Sequence, residues 1–233
     1  MKKNISSPTS ERRDFLKQVA TGAAALSLTM LAPPLSLKAS ALDNENDPGD
    51  ADAWFNKVKG KHRMVFDVTK PNDMMPFAWP KVFLLTNAAT GTPEKENGVV
   101  VILRHDGIPY AMENRLWEKY KFGELFKVDD SVTKAPSVRN MFWQPKPGDF
   151  KIPGVGEVAI GINELQATGV MFCVCDMALT VFSAVAAQKM NLDAATVKKD
   201  WVSGILPGIQ IVPSGVWAVG RAQEHGCAYC YAG

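Results

Sequence analysis

The last nine residues, HGCAYCYAG, set Cys227 and Cys230 in a C-x-x-C spacing beside His225, and GVMFCVC sets Cys173 and Cys175 two apart. Thiolates and imidazole are ligands for zinc, copper or an iron cluster, and a close cysteine pair can also serve redox chemistry. Three readings of the terminal stretch stand. A redox pair normally has its first cysteine at a helix N-terminus, whereas residues three apart on a strand face opposite sides of the sheet. A metal site would use Cys227, Cys230 and His225, with Cys173 and Cys175 making up the cysteine count. The third reading is a buried last strand whose cysteines are small hydrophobes. Attachment of c-type haem is disfavoured, because no His follows Cys230.

Other candidates fall at the ends of apolar runs. Arg104 and His105 follow GVVVIL and offer a permanent charge beside a titratable one, suited to holding an anion or shuttling a proton. Cys175 ends its run just before a helical pattern, where backbone N–H groups favour a thiolate and the charge of Asp176 opposes it. On a strand Cys173 would share its face, deeper in the apolar run, as an inert thiol. Ser214 and Gly215 lie at a strand-to-helix turn, which can receive an anion or simply cap the helix. No paired carboxylates and no Ser-His-Asp set suggest a hydrolase.

These residues need elements to bring them together. HRMVFDV, GVVVILR, GVMFCVC, IQIVP and CAYCYA read as five strands, and the unbroken apolar stretch from Val99 to Leu103 suits a strand buried on both faces. Helical patterns intervene over 78–89, 110–120, 162–167, 178–190, 194–205 and 216–224. The alternation predicts a parallel α/β sheet covered by helices, with ligands held outside the carboxyl ends of its strands. Arg104, His105, Cys175, Ser214 and Gly215 would then share one edge. Residues 122–157 break the rhythm with Pro, Gly, mixed charges, Trp143 and several Phe. A lid or an oligomer contact is the expectation for this insertion.

The first 41 residues read as a twin-arginine export signal: Arg12 and Arg13 in SERRDFLK, a moderately apolar run broken by Pro33 and Pro34, then ASA ending at Ala41. Residues 42–53 read as an acidic linker and 54–233 as one domain. The chain's 26 basic and 24 acidic residues include six bases and two acids in the signal, leaving 20 bases against 22 acids. Nothing in that balance suggests a nucleic-acid surface. A periplasmic protein without a stable membrane span is expected, and four cysteines are too few for a disulfide scaffold.

RHDGIPYAMENRLWEKYKFGELF, VMFCVCDMAL and LPGIQIVPSGVWAVGRAQEHGCAYCYAG, in that order after an export signal, resemble the exported branch of the DsrE/DsrF-like family. The resemblance covers most of the chain from about Lys61 onward. It implies a flavodoxin-like three-layer sandwich with a mainly parallel five-stranded sheet, commonly in homo-oligomers. In cytoplasmic members a cysteine after a central strand carries persulfide sulfur between partner proteins, and Cys175 matches that place. The family's C-terminal pattern has an apolar residue where this chain has Cys230, so the C-x-x-C departs from it. The resulting expectation is sulfur binding or relay through Cys175, with Arg104 and His105 beside it and a relay partner protein. A metal- or haem-binding module without turnover and a non-catalytic oligomeric accessory protein are the alternatives.

Overall fold

A computed structural model describes residues 51–233. The proposed signal, 1–41, and the linker as far as residue 50 lie outside the described residues. The strands are β1 (His62–Val68), β2 (Asn97–Leu103), β5 (Met171–Cys175), β6 (Ile209–Val212) and β7 (Ala228–Tyr231), with a small hairpin of β3 (Lys151–Ile152) and β4 (Gly156–Glu157). The helices are α1 (Ala51–Trp54), α2 (Met75–Ala89), α3 (Asn114–Lys119), α4 (Phe122–Phe126), α5 (Ile162–Ala167), α6 (Asp176–Met190), α7 (Ala194–Ser203) and α8 (Gly215–Glu224).

The five long strands form one all-parallel sheet in the order β6-β5-β2-β1-β7. β2 lies at its centre and every one of its residues is buried, which is why its sequence is an apolar run and not an alternation. One face, carrying Phe66, Val101, Leu103, Phe172 and Val174, packs against α2 to α7. The other, carrying Val65, Val100, Ile102 and Cys173, packs against α1 and α8. The result is the α/β three-layer, flavodoxin-like sandwich that the sequence implies. Ala51 is buried in the second cluster, so the domain begins before Trp54 and takes in the end of the expected linker.

Helix termini follow local chemistry. Asp193 accepts from the Thr196 N–H at 2.8 Å to start α7, and Ser214 accepts from the Trp217 N–H at 3.2 Å to start α8. Asn191, in the left-handed region at φ 53°, closes α6.

The insertion at 122–157 is built inward. Phe122, Phe126, Phe142 and Phe150 are buried in the larger cluster, with Phe142 and Phe150 stacked at 4.9 Å. Aromatic residues that sequence alone leaves free to form a lid or a contact thus serve as core. No helix among the described residues is long and apolar enough to cross a membrane.

Candidate functional site

Chain direction creates a crevice at the carboxyl edge. β1, β2 and β5 are laid down stepwise in one direction, whereas β6 leads back across the sheet to β7 at the far edge. Crossovers of one hand place helices on opposite faces when the direction reverses, and α6 and α8 do pack on opposite faces. β5 and β6 are neighbours, so their chain exits diverge between Cys175 and Pro213. That divergence is a topological switch point, where open α/β sheets hold ligands. Cys175 pairs in register with Val212, and the Met177 N–H donates to the Pro213 carbonyl at 3.3 Å across the gap.

Cys175 is 6 % exposed and caps α6, its Sγ accepting from the Ala178 N–H at 3.3 Å. The expectation that it shares a face with Cys173 is not met. Cys173 packs in the smaller cluster with α8, while Cys175 belongs to the larger one, because the chain is already turning into α6. Complete burial pushes the Cys173 thiol far up, as for an inert core residue.

Arg104 is held by a residue that the sequence reading passed over. Asp67, one residue before the end of β1 and 1 % exposed, receives Arg104 Nε at 2.6 Å and Nη2 at 2.8 Å, and the Tyr229 hydroxyl donates to the same carboxylate at 2.8 Å. The Asp67 hydrogen bonds hold the guanidinium above its ordinary range against partial burial, with lesser contributions from Tyr229 and Cys175. The aliphatic stem of Arg104 lies against Gly215, filling the space a Cβ would need. The sequence signal for Asp67 was the one acidic residue of the strand HRMVFDV, set in its apolar end VFDV.

The structure therefore joins Arg104 to Gly215 and brings it within electrostatic reach of Cys175. His105 turns elsewhere. It sits at φ 51° with its ring edge-on to Phe182 of α6, its side chain is 65 % exposed, and Nδ1 is 3.4 Å from Asp106 Oδ2. Ser214 is used as the cap of α8.

Cys227, Cys230 and His225, read as metal ligands, are not brought together. Cys227 is buried on the α8 face, while Cys230, two residues into β7, packs against the opposite cluster. Strand alternation separates them, as it does any pair three apart. His225 closes α8, its ring 6.1 Å from that of Phe55. β5 and β7 are separated by both β2 and β1, so Cys173 and Cys175 cannot complete a four-cysteine set. Among the described residues no group of three or more His, Cys, Asp or Glu side chains forms a metal site. All four cysteines are free thiols.

Fold and site together define a parallel α/β/α protein in which a buried carboxylate holds a partly exposed guanidinium and phenol beside a capping cysteine at its switch point. The sequence matches no protein-family model and no curated protein. Among solved structures it is similar to MTH1491, a protein of unknown function from Methanobacterium thermoautotrophicum, with 16 % identity and a TM-score of 0.39 over 73 % of this chain and 99 % of that one.

Proposed function

We propose that this chain is an exported DsrE-like protein that accepts and hands on sulfane sulfur at Cys175, working as a homo-oligomer with a relay partner in the periplasm. The observation that carries the reading is the position of Cys175, at the switch point and within hydrogen-bonding distance of a backbone N–H in the first turn of α6. The Cys175 thiolate attacks the outer sulfur of a donor persulfide. A new S–S bond forms at Cys175, the donor's S–S bond breaks, and the donor leaves as a thiolate. Transfer to an acceptor thiolate repeats the exchange in reverse, with no net oxidation. Arg104 supplies positive charge near the anionic sulfur, held in place by Asp67 and Tyr229.

Because Cys175 is nearly covered, exchange requires opening at the crevice, where the Met177 to Pro213 hydrogen bond is the tie to break. The test is intact mass of the purified protein after polysulfide treatment, without reductant. Wild type should carry added sulfur that peptide mapping places on Cys175, Cys173→Ser should match it, and Cys175→Ser should lose that adduct and keep only what the accessible Cys230 takes up. Equal labelling of the two variants would overturn the relay, and a co-purifying metal or haem would favour a binding module instead. Export through the twin-arginine segment predicts a periplasmic protein cut after Ala41.

A further inference from the structure

A second cleft, distinct from the crevice at Cys175, opens between the β1–α2 loop and the insertion, with a volume of about 790 Å³. That is the size range of small-molecule sites. Its deep part is apolar, formed by Met75, Met141, Phe142 and Phe150 with Tyr110. Tyr110 is 1 % exposed, its ring packed among Phe77, Trp117 and Phe142. Its hydroxyl makes no hydrogen bond to another described residue, and burial, with Asp73 adding, holds it protonated far above the usual phenol range. A phenol hydroxyl without a partner among the described residues, in the lining of a cleft, is a donor that a ligand can engage.

Charge at the cleft mouth has two poles. Asp73 comes from the β1–α2 loop, and Lys127 and Lys134 come from the insertion. None of the three forms an ion pair with another described residue, although they line one cleft. By contrast Asp130 is taken by Arg139 at 2.9 Å, Lys151 faces Glu157 at 3.4 Å, and Asp149 accepts from the Lys146 N–H at 2.9 Å. Asp129 remains on the lysine side, where its backbone bridges to Pro136. Asp73, Lys127 and Lys134 are also three of the seven non-glycine residues with positive φ among the described residues, at 45°, 56° and 56°. Such backbone is uncommon for a lysine, and clusters of it occur at ligand clamps.

We propose that this cleft binds a small zwitterion with an apolar body, of the free amino acid class. Its ammonium meets Asp73, its carboxylate meets Lys127 and Lys134, its side chain lies on Met75, Phe142 and Phe150, and Tyr110 donates to an oxygen of the ligand. Opposite charges that line one cleft without meeting call for a ligand carrying both signs, which a simple anion or cation does not supply.

Calorimetric titration of the full chain with L-phenylalanine and L-methionine tests this. Saturable binding of at least one is expected. For L-phenylalanine, blocking the ammonium as N-acetyl-L-phenylalanine or the carboxylate as L-phenylalaninamide should each weaken binding tenfold or more. Asp73→Asn should weaken L-phenylalanine to a similar degree and leave N-acetyl-L-phenylalanine unchanged, and Lys134→Gln should do the same for the amide. Both positions are exposed, and Asn tolerates positive φ, so unchanged melting temperatures should certify the variants. No saturable binding of either amino acid, or blocked analogues that bind as tightly, would overturn the proposal.

Discussion

Asp67 and Arg104 form a two-point contact, Nε to Oδ1 at 2.6 Å and Nη2 to Oδ2 at 2.8 Å, between the carboxyl ends of two adjacent parallel strands. The carboxylate is buried and the guanidinium partly exposed, so the pair is neither a screened surface bridge nor a fully desolvated one. Tyr229 adds a third donor from the edge strand. One carboxylate thus ties β1, β2 and β7 together at the edge where the candidate cysteine sits.

Asp67→Asn keeps an acceptor oxygen but removes the charge that balances Arg104. The expected loss of stability is about 1–3 kcal/mol, the usual cost of leaving a partly buried charged donor short of its partner. Tyr229→Phe removes one neutral donor and should cost about 1 kcal/mol. Urea unfolding at neutral pH measures both. A loss for Asp67→Asn no larger than that for Tyr229→Phe would mean that the ion pair adds nothing beyond an ordinary hydrogen bond.

Gly215 has no room for a side chain, because a Cβ there would fall on the stem of Arg104. Arg104 cannot swing aside freely, since Asp67 holds its far end. Gly215→Ala should therefore destabilise by about 1–3 kcal/mol, as overpacking does. Combined with Arg104→Gly, which removes the Cβ as well as the rest of the stem, it should become nearly neutral. Additive losses in the double variant would show that the two residues do not press on each other.

All five strands of the sheet were legible in the sequence because each is a β-branched or aromatic run bounded by Gly, Pro or charge. IQIV between LPG and PSG becomes β6, and AYCY after HGC becomes β7. The shared carboxyl edge followed from alternation with helices. The network on that edge did not, because it depends on strand order. Tyr229 lies 162 residues from Asp67 in the chain, and only the return of β7 to the side of β1 brings them together. The inward packing of the insertion was not legible for a related reason. Its Phe residues have no regular period, so burial comes from packing under α2 and around Trp201, as in the 4.8 Å approach of Phe122 to Trp201.

Asp200 on α7 gives a pH signature. Burial works to raise its carboxyl, but Lys119, Tyr120 and Arg115, at 2.7, 2.7 and 2.6 Å, outweigh it and hold the group well below the usual carboxylate range. A carboxyl depressed in the folded state adds stability above its unfolded value, about pH 4, and that stability is lost as pH falls through the folded value. Wild type should thus exceed Asp200→Asn in urea resistance at pH 7 and 5, with the gap shrinking by pH 3. A gap that stays constant with pH would show that the carboxylate's charge is not what joins α3 to α7.

The remaining cysteines should differ in how readily they alkylate, because the thiolate is the nucleophile and burial opposes it. Burial pushes Cys227 up to about 11, with Arg63 pulling the other way, and raises Cys173 further, while the half-buried Cys230 lies on the open edge strand. In the native protein at pH 8, iodoacetamide should modify Cys230 well before Cys227 or Cys173, and denaturation should erase the order. Because a thiol raised in the folded state favours folding most below its unfolded value, about 8.5, the Cys227 contribution should fade as pH rises from there toward 11. Cys227→Ala should therefore lose less stability than wild type over that interval in urea titrations. Peptide mapping gives the labelling order, and Cys227 labelled as fast as Cys230 would mean that β7 separates readily from β1, releasing with it the Tyr229 donor to Asp67.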